Sequence, residues 1–244
     1  MNNILITGGT GFVGSHMIDY ILKHETNVKI FVTKRWMEDT KNVDHIDDKR
    51  FEFVDCDLLD GLSVQRVVEI SKPDKVFHFA AQSFPEVSFK TPVITLQTNI
   101  IGTTHLLESI KNSDYNPVIV SISSSEVYGM PKEDEIPIKE DNPIRPANPY
   151  SISKVGHDLM SQYYHNAYDM KIIITRMFSH EGARRGKQFA LSSFAHQIVQ
   201  NERGRGDGFI RHGNLESVRT YNHIEDAIRA YWICSESDKF GEIY

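Results

Sequence analysis

The segment Ile4-Leu5-Ile6-Thr7-Gly8-Gly9-Thr10-Gly11-Phe12-Val13-Gly14-Ser15-His16 decides the fold of this chain. Its apolar run stops at glycine, and apolar residues at helical spacing follow at once, which predicts a buried strand, a tight turn and a helix. Gly8, Gly11 and Gly14 are each three residues apart. Glycine lets phosphate oxygens approach the N–H groups of a helix N-terminus, because no Cβ stands in the way.

The position of this glycine triplet, between a strand and a helix, favours a dinucleotide-binding loop over an ordinary glycine-rich turn. We expect the loop to hold the pyrophosphate of a nicotinamide cofactor. The residues predicted to contact it are Gly8, Thr10, Gly11, Phe12, Val13 and Gly14.

The composition limits the possible function classes. The 244 residues are 40% hydrophobic and 25% charged, as in ordinary globular proteins. A net charge of −6 argues against nucleic acid as a general partner. No apolar run reaches the ~20 residues that span a bilayer, and no signal peptide precedes the first strand, so we expect no membrane partner. Cys56 and Cys234 have no paired spacing, which favours a reducing, cytoplasmic location.

Strands and helices are predicted to alternate along the chain. After the first pair, strands are expected at 28–33, 51–54, 75–81, 118–122 and 171–178, and helices at 62–70, 92–111 and from 149 onward. This pattern predicts an α/β protein with a doubly wound parallel sheet, the NAD(P)-binding Rossmann fold. Its ligands bind at the carboxyl ends of the strands. In the helix from Pro149, we expect Ile152, Val155, Leu159 and Tyr163 to form the buried side.

The domain division follows from a change of pattern after Phe178. Residues 1–178 are assigned to a dinucleotide-binding domain. Residues 179–222, with glycine-rich loops and one helix at about 188–201, are assigned to the start of a smaller substrate-binding lobe. The segment 223–235 is expected to pack back onto the first domain. Residues 240–244 look like a strand cut short. The substrate-binding lobe is expected to be truncated after residue 244.

An arginine surplus marks the second lobe. From Arg176 to Arg219 the chain has seven Arg and one Lys against four acidic residues, although the whole chain is acidic. This local positive charge predicts an anionic ligand.

The second strand runs into Thr33-Lys34-Arg35. A cofactor without a 2′-phosphate is usually held by an acid near the end of this strand, and we find no acid there in the sequence. Cationic side chains suit a 2′-phosphate, so NADP is favoured over NAD, with Arg35 as its contact. The alternative is a solvated basic turn.

Tyr150 and Lys154 lie one helical turn apart, and Ser124 ends a predicted strand. A free phenol has a pKa of ~10, and a nearby ammonium or a positive nicotinamide ring lowers it. Tyr150 could then take a proton from a sugar hydroxyl that Ser124 positions, while Lys154 also grips the nicotinamide ribose. The alternative is a surface Tyr–Lys pair.

Glu126 discriminates between reaction types. A protein that only moves hydride needs one acid/base group, whereas elimination of water across a sugar's C5–C6 bond needs a second base for the C5 proton. The alternative role for Glu126 is a cap or pairing partner within its loop. Neither a metal site nor a hydrolase is expected, because the eleven histidines show no HExxH spacing and there is no G-x-S-x-G elbow.

These motifs together resemble the extended short-chain dehydrogenase/reductase family in its nucleotide-sugar branch, and within it the GDP-mannose 4,6-dehydratases. The resemblance runs through essentially the whole chain. The family-level motifs are the glycine triplet, Tyr150-xxx-Lys154 and Asp57-Leu58. The more specific ones are Ala81-Gln82-Ser83, Val87-Ser88-Phe89, Ser124-Ser125-Glu126, residues 180–186 (HEGARRG) and residues 213–219 (GNLESVR).

The resemblance implies roles for several residues. Asp57 and Leu58 would contact the adenine. The cofactor would also be lined by Phe79, Ala80, Ala81, Ser83, His180 and Arg185, with the arginine loop shared with a neighbouring subunit of a homodimer or homotetramer. The substrate, GDP-mannose or a related nucleotide-diphosphate sugar, would be contacted by Ser83, Ser124, Glu126, Ser179 and Arg219.

Three positions depart from the dehydratase pattern. Ser124 replaces the usual threonine, Ser179 an asparagine that contacts substrate, and Ile94 a tyrosine that contacts the cofactor. The GDP-4-keto-6-deoxymannose reductases share several of the same motifs and are the alternative within the family. A non-catalytic NADP-binding sensor is the alternative from another class, although such proteins typically lack the Tyr–Lys pair.

Overall fold

Six parallel strands form the central sheet of this protein, in the order β3-β2-β1-β4-β5-β6. The structure, a computed structural model, describes residues 1–244. The strands are β1 (Asn2–Thr7), β2 (Val28–Lys34), β3 (Phe51–Asp55), β4 (Lys75–His78), β5 (Val118–Ile122) and β6 (Ile172–Thr175). The strand order reverses between β1 and β4, which creates a crevice at their carboxyl ends. The predicted doubly wound Rossmann sheet is confirmed.

The helices that cover the sheet include one segment that the sequence did not predict. They are α1 (Phe12–His24), α2 (Gly61–Ser71), α3 (Pro85–Lys90), α4 (Pro92–Leu96), α5 (Gly102–Lys111) and α6 (Pro149–Tyr168). A π-helical turn at Gln97–Ile101 joins α4 to α5, so the single helix predicted over 92–111 is interrupted. The short helix α3 was missed. None of the helices combines the length and hydropathy needed to cross a bilayer.

Two hydrophobic cores lie on opposite faces of the sheet. On one face Leu5 and Val76 pack with Val64 and Leu106 of the covering helices. On the other face Ile4 and Ile6 pack with Met17 of α1 and with residues of α8 (Ile224–Glu236). Alternate residues of each central strand therefore enter different cores, which explains why the strands are apolar throughout. Ile228 and Tyr231 of α8 are almost fully buried in this second core.

Two predicted strands are shorter than expected because their hydrogen-bonded neighbours end. β4 stops at His78, which pairs with Thr7, the last residue of β1. β6 stops at Thr175, which pairs with Ile122, the last residue of β5. The chain beyond each strand leaves the sheet at its carboxyl edge and lines the crevice.

The buried face of α6 is polar, and the prediction for this helix was wrong. Ile152, Leu159 and Tyr163 are each about half exposed, at 48%, 51% and 51%. The residues that face the protein are mostly polar, namely Tyr150, Ser151, Ser153, Lys154, His157, Asp158, Ser161 and Tyr164. Polar and apolar residues both recur at helical spacing here, so periodicity could not tell which stripe is inside.

The remaining elements belong to residues 179–244. β7 (Ser179–Glu181) and β8 (Tyr221–His223) form a separate two-stranded parallel sheet, and α7 (Ala190–Glu202) lies between them in sequence. Residues 203–221 form an exposed segment. At the end of the chain, the N–H of Tyr244 donates to the carbonyl of Ile174 in β6 at 2.9 Å. The last residues therefore lie along the free edge of β6.

Candidate active site

Close packing requires glycine at two positions of the loop after β1. Gly8 has φ +69°, and a Cβ there would stand 2.7 Å from the backbone of Ala80. A Cβ on Gly14 would stand 2.5 Å from the carbonyl oxygen of Gly8, so this residue lets α1 pack against the loop. Gly11 is the N-cap residue of α1, and no side chain caps the helix. The first N–H groups of α1 therefore face the crevice free to bind an anion.

The end of the crevice next to β2 contains an acid, Glu38, that was not predicted from the sequence. The Thr10 hydroxyl donates to Glu38 Oε1 at 2.7 Å, and the Arg35 N–H donates to Glu38 Oε2 at 2.8 Å. Lys34 is paired with Asp55, at 2.8 Å. Lys34 and Arg35, the two cationic residues at the end of β2, are therefore each paired with a carboxylate.

Ser124 begins a 3₁₀ turn that runs from Ser125 to Tyr128. Its Oγ accepts the N–H of Glu126 at 3.2 Å, so the cap that orients the turn is the serine itself. The Glu126 side chain is exposed at the crevice and accepts a hydrogen bond from Asn148 Nδ2 at 3.3 Å. Asn148 was not predicted as a site residue, although an Asn before a Pro at a helix start is a recognisable N-cap signal.

Tyr150 and Lys154 are both buried, at 9% and 3% exposed. Burial raises the pKa of Tyr150 to about 12, opposed by a hydrogen bond with Ser124 and by the charge of Arg185. Burial lowers the pKa of Lys154 to about 8, and its Nζ donates to the carbonyl of Ile122 at 2.6 Å. Among the charged groups of the cleft, Arg185 lowers the pKa of Tyr150 and Glu126 raises it.

A buried hydrogen-bond chain lies beneath Lys154 on the same face of α6. The Thr103 hydroxyl donates to the Asn99 carbonyl at 2.8 Å and contacts His78 Nε2 and His157 Nδ1, each at 2.9 Å. Because Thr103 has one proton, both imidazoles must donate to its oxygen, which selects one tautomer for each ring. Burial lowers the pKa of His78 to about 3 and that of His157 well below its usual value, so both rings are neutral.

α6 is also held by a buried ion pair. Arg176 Nε donates to Asp158 Oδ2 at 2.8 Å, and both side chains are almost fully inaccessible, at 5% and 0% exposed. Arg176 Nη1 donates to the Tyr128 hydroxyl as well, at 3.1 Å. The pair links β6, α6 and the turn after Ser124, so the elements that present Ser124 and Tyr150 are braced against each other.

In the loop before α7, the Arg185 side chain contacts aromatic rings of its own chain. The Arg185 guanidinium lies 3.6 Å from the centre of the Phe189 ring and 5.1 Å from that of Phe12. Glu181 is its nearest acid, at 3.8 Å, and the buried Arg185 Nε has no hydrogen-bond partner. His180 stacks near Phe12, with ring centres 6.3 Å apart. Burial lowers the pKa of His180 to about 4, so its ring is neutral.

The crevice is a cleft of about 1010 Å³. It brings together nearly all of the sequence-predicted residues, namely Gly8, Thr10, Gly11, Phe12, Val13, Gly14, Arg35, Asp57, Leu58, Phe79, Ala80, Ala81, Ser83, Ser124, Glu126, Tyr150, Lys154, Ser179, His180 and Arg185. Arg219 does not line it; this residue lies in the exposed segment, where its Nη1 donates to the Val218 carbonyl. No group of three or more His, Cys, Asp or Glu residues could hold a metal ion.

The sheet order, the glycine loop and the Ser124, Tyr150 and Lys154 side chains beside it define an NAD(P)-binding protein of the extended short-chain dehydrogenase/reductase class. A model of the GDP-mannose 4,6 dehydratase family matches residues 5–244. The chain belongs to the GDP-mannose 4,6-dehydratase family, and the predicted family is confirmed.

Two curated relatives illustrate the range of this similarity. The GDP-mannose 4,6-dehydratase of Vibrio cholerae is 30% identical over 96% of this chain and 64% of its own length. The dTDP-D-glucose 4,6-dehydratase of Dictyostelium discoideum is 29% identical over 100% of this chain and 58% of its own length. The chain therefore spans less than two thirds of either relative.

Two solved structures are similar to this chain over nearly its whole length. RMD from Pseudomonas aeruginosa, complexed with NADPH, has a TM-score of 0.84 and 27% identity, covering 100% of this chain and 75% of its own. DesIV, a dTDP-glucose 4,6-dehydratase from Streptomyces venezuelae with NAD and TYD bound, has a TM-score of 0.87 and 28% identity, covering 99% and 74%. Both of these structures contain a nicotinamide cofactor, NADPH in one and NAD in the other.

Proposed function

We propose that this protein is a nucleotide-sugar 4,6-dehydratase that acts on GDP-mannose or a close GDP-sugar. The observation that carries the proposal is the presence of two separate side chains capable of acid/base chemistry, Tyr150 and Glu126, in one cleft that Ser124 also lines. The family and the V. cholerae relative support GDP-mannose, whereas other relatives are named for dTDP-glucose.

The residues present fit a nicotinamide cofactor. The uncapped N-terminus of α1 offers N–H groups to a pyrophosphate, and Gly8 and Gly14 allow the loop to close tightly over it. When bound, the cofactor would supply the acceptor for a hydride from C4 of the sugar and the donor of that hydride to C6. In this proposal Lys154 contacts the nicotinamide ribose, and Asp57 and Leu58 contact the adenine; all three residues line the cleft.

The protein's own side chains move the protons. Ser124 holds the C4 hydroxyl of the sugar, and Tyr150 Oη takes its proton as the C4 ketone forms. The ketone acidifies C5, and Glu126 then removes the C5 proton and passes it to the C6 hydroxyl, which leaves as water. When the hydride reaches C6, Glu126 delivers a proton taken from solvent to C5, and Tyr150 releases the C4 hydroxyl proton to solvent. Asn148 orients the Glu126 carboxylate for its proton transfers.

For the cofactor we propose NADP, with Arg35 as the contact to the 2′-phosphate. Its guanidinium is 68% exposed and lines the cleft, so it can turn toward a phosphate. NAD remains the alternative, because the Glu38 carboxylate lies within the same turn.

The second lobe and the assembly are also proposals. We propose that residues 1–178 form the dinucleotide-binding domain and that 179–222 begin a substrate-binding lobe. In it, Ser179 would contact the substrate, and Arg219, within the arginine surplus, would contact the substrate's diphosphate. We further propose a homodimer or homotetramer. The exposed apolar side chains of Ile152, Leu159 and Tyr163 on α6 support a subunit interface, and sedimentation would measure it. The free thiols of Cys56 and Cys234 agree with the cytoplasmic location proposed from the sequence.

The decisive experiment incubates full-length protein with GDP-mannose and catalytic NADP⁺. The expected product is a 4-keto-6-deoxy sugar, formed without net consumption of cofactor. Stoichiometric loss of NADPH with a 4-keto substrate, and no reaction of GDP-mannose, would identify a reductase instead. Cofactor binding without either reaction would identify a sensor.

A further inference from the structure

A buried chain of hydrogen bonds joins the end of β1 to α6, and no step of the proposed reaction uses it. At one end the Thr7 hydroxyl contacts His78 Nδ1 at 2.7 Å. At the other end the Ser121 hydroxyl contacts Nε2 of His157, a residue of α6, at 2.8 Å. Thr103 lies between the two rings, with its Oγ1 2.9 Å from a nitrogen of each. All five residues are at most 2% exposed, and none of them lines the cleft.

The two ends of this chain belong to the elements that carry the proposed site. Thr7 directly precedes Gly8 of the glycine loop, and its Oγ1 accepts the N–H of Ala80 at 3.2 Å. Ala80 lines the cleft and packs closely against Gly8, where a Cβ would stand 2.7 Å from the Ala80 backbone. His157 follows Lys154 by one turn on the buried face of α6. The chain therefore connects the glycine loop to the helix face that presents Lys154.

The geometry at Thr103 fixes the direction of the hydrogen bonds to both rings. Its only proton goes to the Asn99 carbonyl, at 2.8 Å, so each imidazole must donate to its oxygen. His78 therefore carries its proton on Nε2, His157 carries its proton on Nδ1, and the remaining nitrogen of each ring accepts a hydroxyl. In the opposite tautomer a ring would present a lone pair to the Thr103 oxygen and lose that bond.

The two rings are also coupled by packing and by charge. The imidazoles of His78 and His157 stack with their centres 5.4 Å apart and 7° between their planes, so in a close-packed interior a movement of one ring displaces the other. Burial, and then the charge of Lys154, lowers the pKa of both rings, which keeps both neutral at physiological pH. The chain therefore has one hydrogen-bonded arrangement, in which both of its ends are fixed.

We propose that Thr103 is a positioning residue that couples the glycine loop to α6 through the two imidazoles. The Thr7 hydroxyl fixes the His78 ring, Thr103 joins that ring to the His157 ring, and His157 fixes the part of α6 that presents Tyr150 and Lys154. Order imposed on the glycine loop by a bound pyrophosphate is thereby transmitted to the acid/base pair. This inference rests on the proposed cofactor site, and its kinetic consequence rests on the proposed reaction.

The test records NMR signals of isotope-labelled histidine rings with and without NADP⁺, and then with NAD⁺, in the unmutated protein and three variants. Thr103→Val removes the shared oxygen at nearly constant volume, and Thr103→Ser keeps the hydroxyl. Thr104→Val is the matched control. Thr104 is the next residue on α5, and its hydroxyl donates to the carbonyl four positions earlier, at 2.9 Å, without contacting either ring.

In the unmutated protein we expect the Nε2–H tautomer for His78, the Nδ1–H tautomer for His157, and no titration of either ring from about pH 6 to 8. Binding of the cofactor should shift the signals of both rings, although neither ring lines the cleft. Thr103→Val should keep the response at His78 and lose it at His157. Thr103→Ser and Thr104→Val should keep both responses.

The kinetic measurement uses GDP-mannose. Thr103→Val should lower kcat by about tenfold or more and leave KM within about twofold, because the acid/base pair loses its orientation while substrate binding is retained. Thr103→Ser should recover most of the loss. Equal loss in Thr103→Val and Thr104→Val would show a general effect of packing and overturn the proposal.

Three other outcomes would also overturn it. They are the opposite tautomer of either ring in the unmutated protein, no response at His157 when a cofactor binds, and a response at His157 that survives Thr103→Val. The first two need no variant, so they decide the question even where Thr103→Val does not fold. Failure of both cofactors to bind would overturn this inference together with the cofactor site. If GDP-mannose is not dehydrated, the proposed reaction falls, whereas the expected tautomers and ring responses would still support the coupling.

Discussion

Asn148 Nδ2 donates a hydrogen bond to Glu126 Oε2 at 3.3 Å, and the same amide caps the helix that presents Tyr150. Its Oδ1 accepts the N–H of Ser151 at 2.8 Å. One side chain therefore sets the position of the proposed C5 base and the start of α6 together. The two acid/base groups are separated by 24 positions in sequence, yet they are oriented through a single residue.

This arrangement predicts that the two roles of Asn148 can be separated. Asn148→Ala should lower the free energy of unfolding by about 1 kcal/mol through loss of the cap, and should slow elimination. Asn148→Ser restores a capping oxygen but offers Glu126 no amide. We expect it to recover stability in denaturant titrations while turnover of GDP-mannose stays low. Full recovery of turnover in Asn148→Ser would show that Glu126 does not depend on this contact.

Tyr150→Phe should abolish turnover with little change in the fold or in cofactor affinity. The substitution removes one hydroxyl, and the glycine loop contacts lie elsewhere in the cleft. We expect a loss of about 10²-fold or more in kcat, as is typical of a proton-transfer group. Tyr163→Phe is the matched control, because this tyrosine lies on the same helix but is half exposed. A loss below about tenfold in Tyr150→Phe would contradict its role as acid/base.

Glu126→Gln should separate oxidation from elimination. The amide keeps the size and hydrogen bonding of the side chain but cannot take the C5 proton. We therefore expect NADPH to accumulate on the enzyme while no 4-keto-6-deoxy product forms. In heavy water the unmutated enzyme should place deuterium at C5, because the Glu126 proton exchanges with solvent. A product without deuterium at C5 would argue against this base.

Arg35→Ala tests the cofactor proposal. The unmutated protein is expected to bind NADP more tightly than NAD, and Arg35→Ala should weaken NADP by about tenfold or more through loss of a charge-assisted contact. NAD affinity should change little, because its ribose lacks the phosphate. Calorimetric titration of the unmutated protein and of Arg35→Ala with each cofactor gives the four dissociation constants. Equal affinities of the unmutated protein for the two cofactors would end the NADP assignment.

The lowered pKa of Lys154 predicts that the free energy of unfolding depends on pH. Its pKa is lowered by burial to about 8 in the folded protein, against an unfolded value of ~10.4. Between these values the unfolded state binds more protons, so the free energy of unfolding contributed by this group rises with pH and is least below pH 8. Relative to Lys154→Met, the unmutated protein should gain at most about 1.4 kcal/mol per pH unit from pH 8 to 10. A constant difference between the two proteins across this window would contradict the lowered pKa.

The fold and much of the cleft followed from local sequence. The parallel sheet was predicted from the apolar runs, the glycine triplet and the alternation of strands with helices. Each of these three signals depends on residues that are close together in the chain. The glycine loop, Ser124, Glu126, Tyr150 and Lys154 lie at the carboxyl ends of strands or just after them. In a parallel sheet those ends share one edge, so a sequence pattern is enough to place these residues in one cleft.

Other features depended on tertiary contacts. The buried stripe of α6 is polar because Asp158 meets Arg176 and His157 meets Thr103, partners that periodicity does not show. Glu38 reaches Thr10 only because Met37 turns the chain back, at a position where the sequence suggested a basic turn. The sequence by itself determined the sheet and which chemical groups stand at its edge. The tertiary structure decided which charges face each other there, because pairing energies depend on distance and burial between residues far apart in the chain.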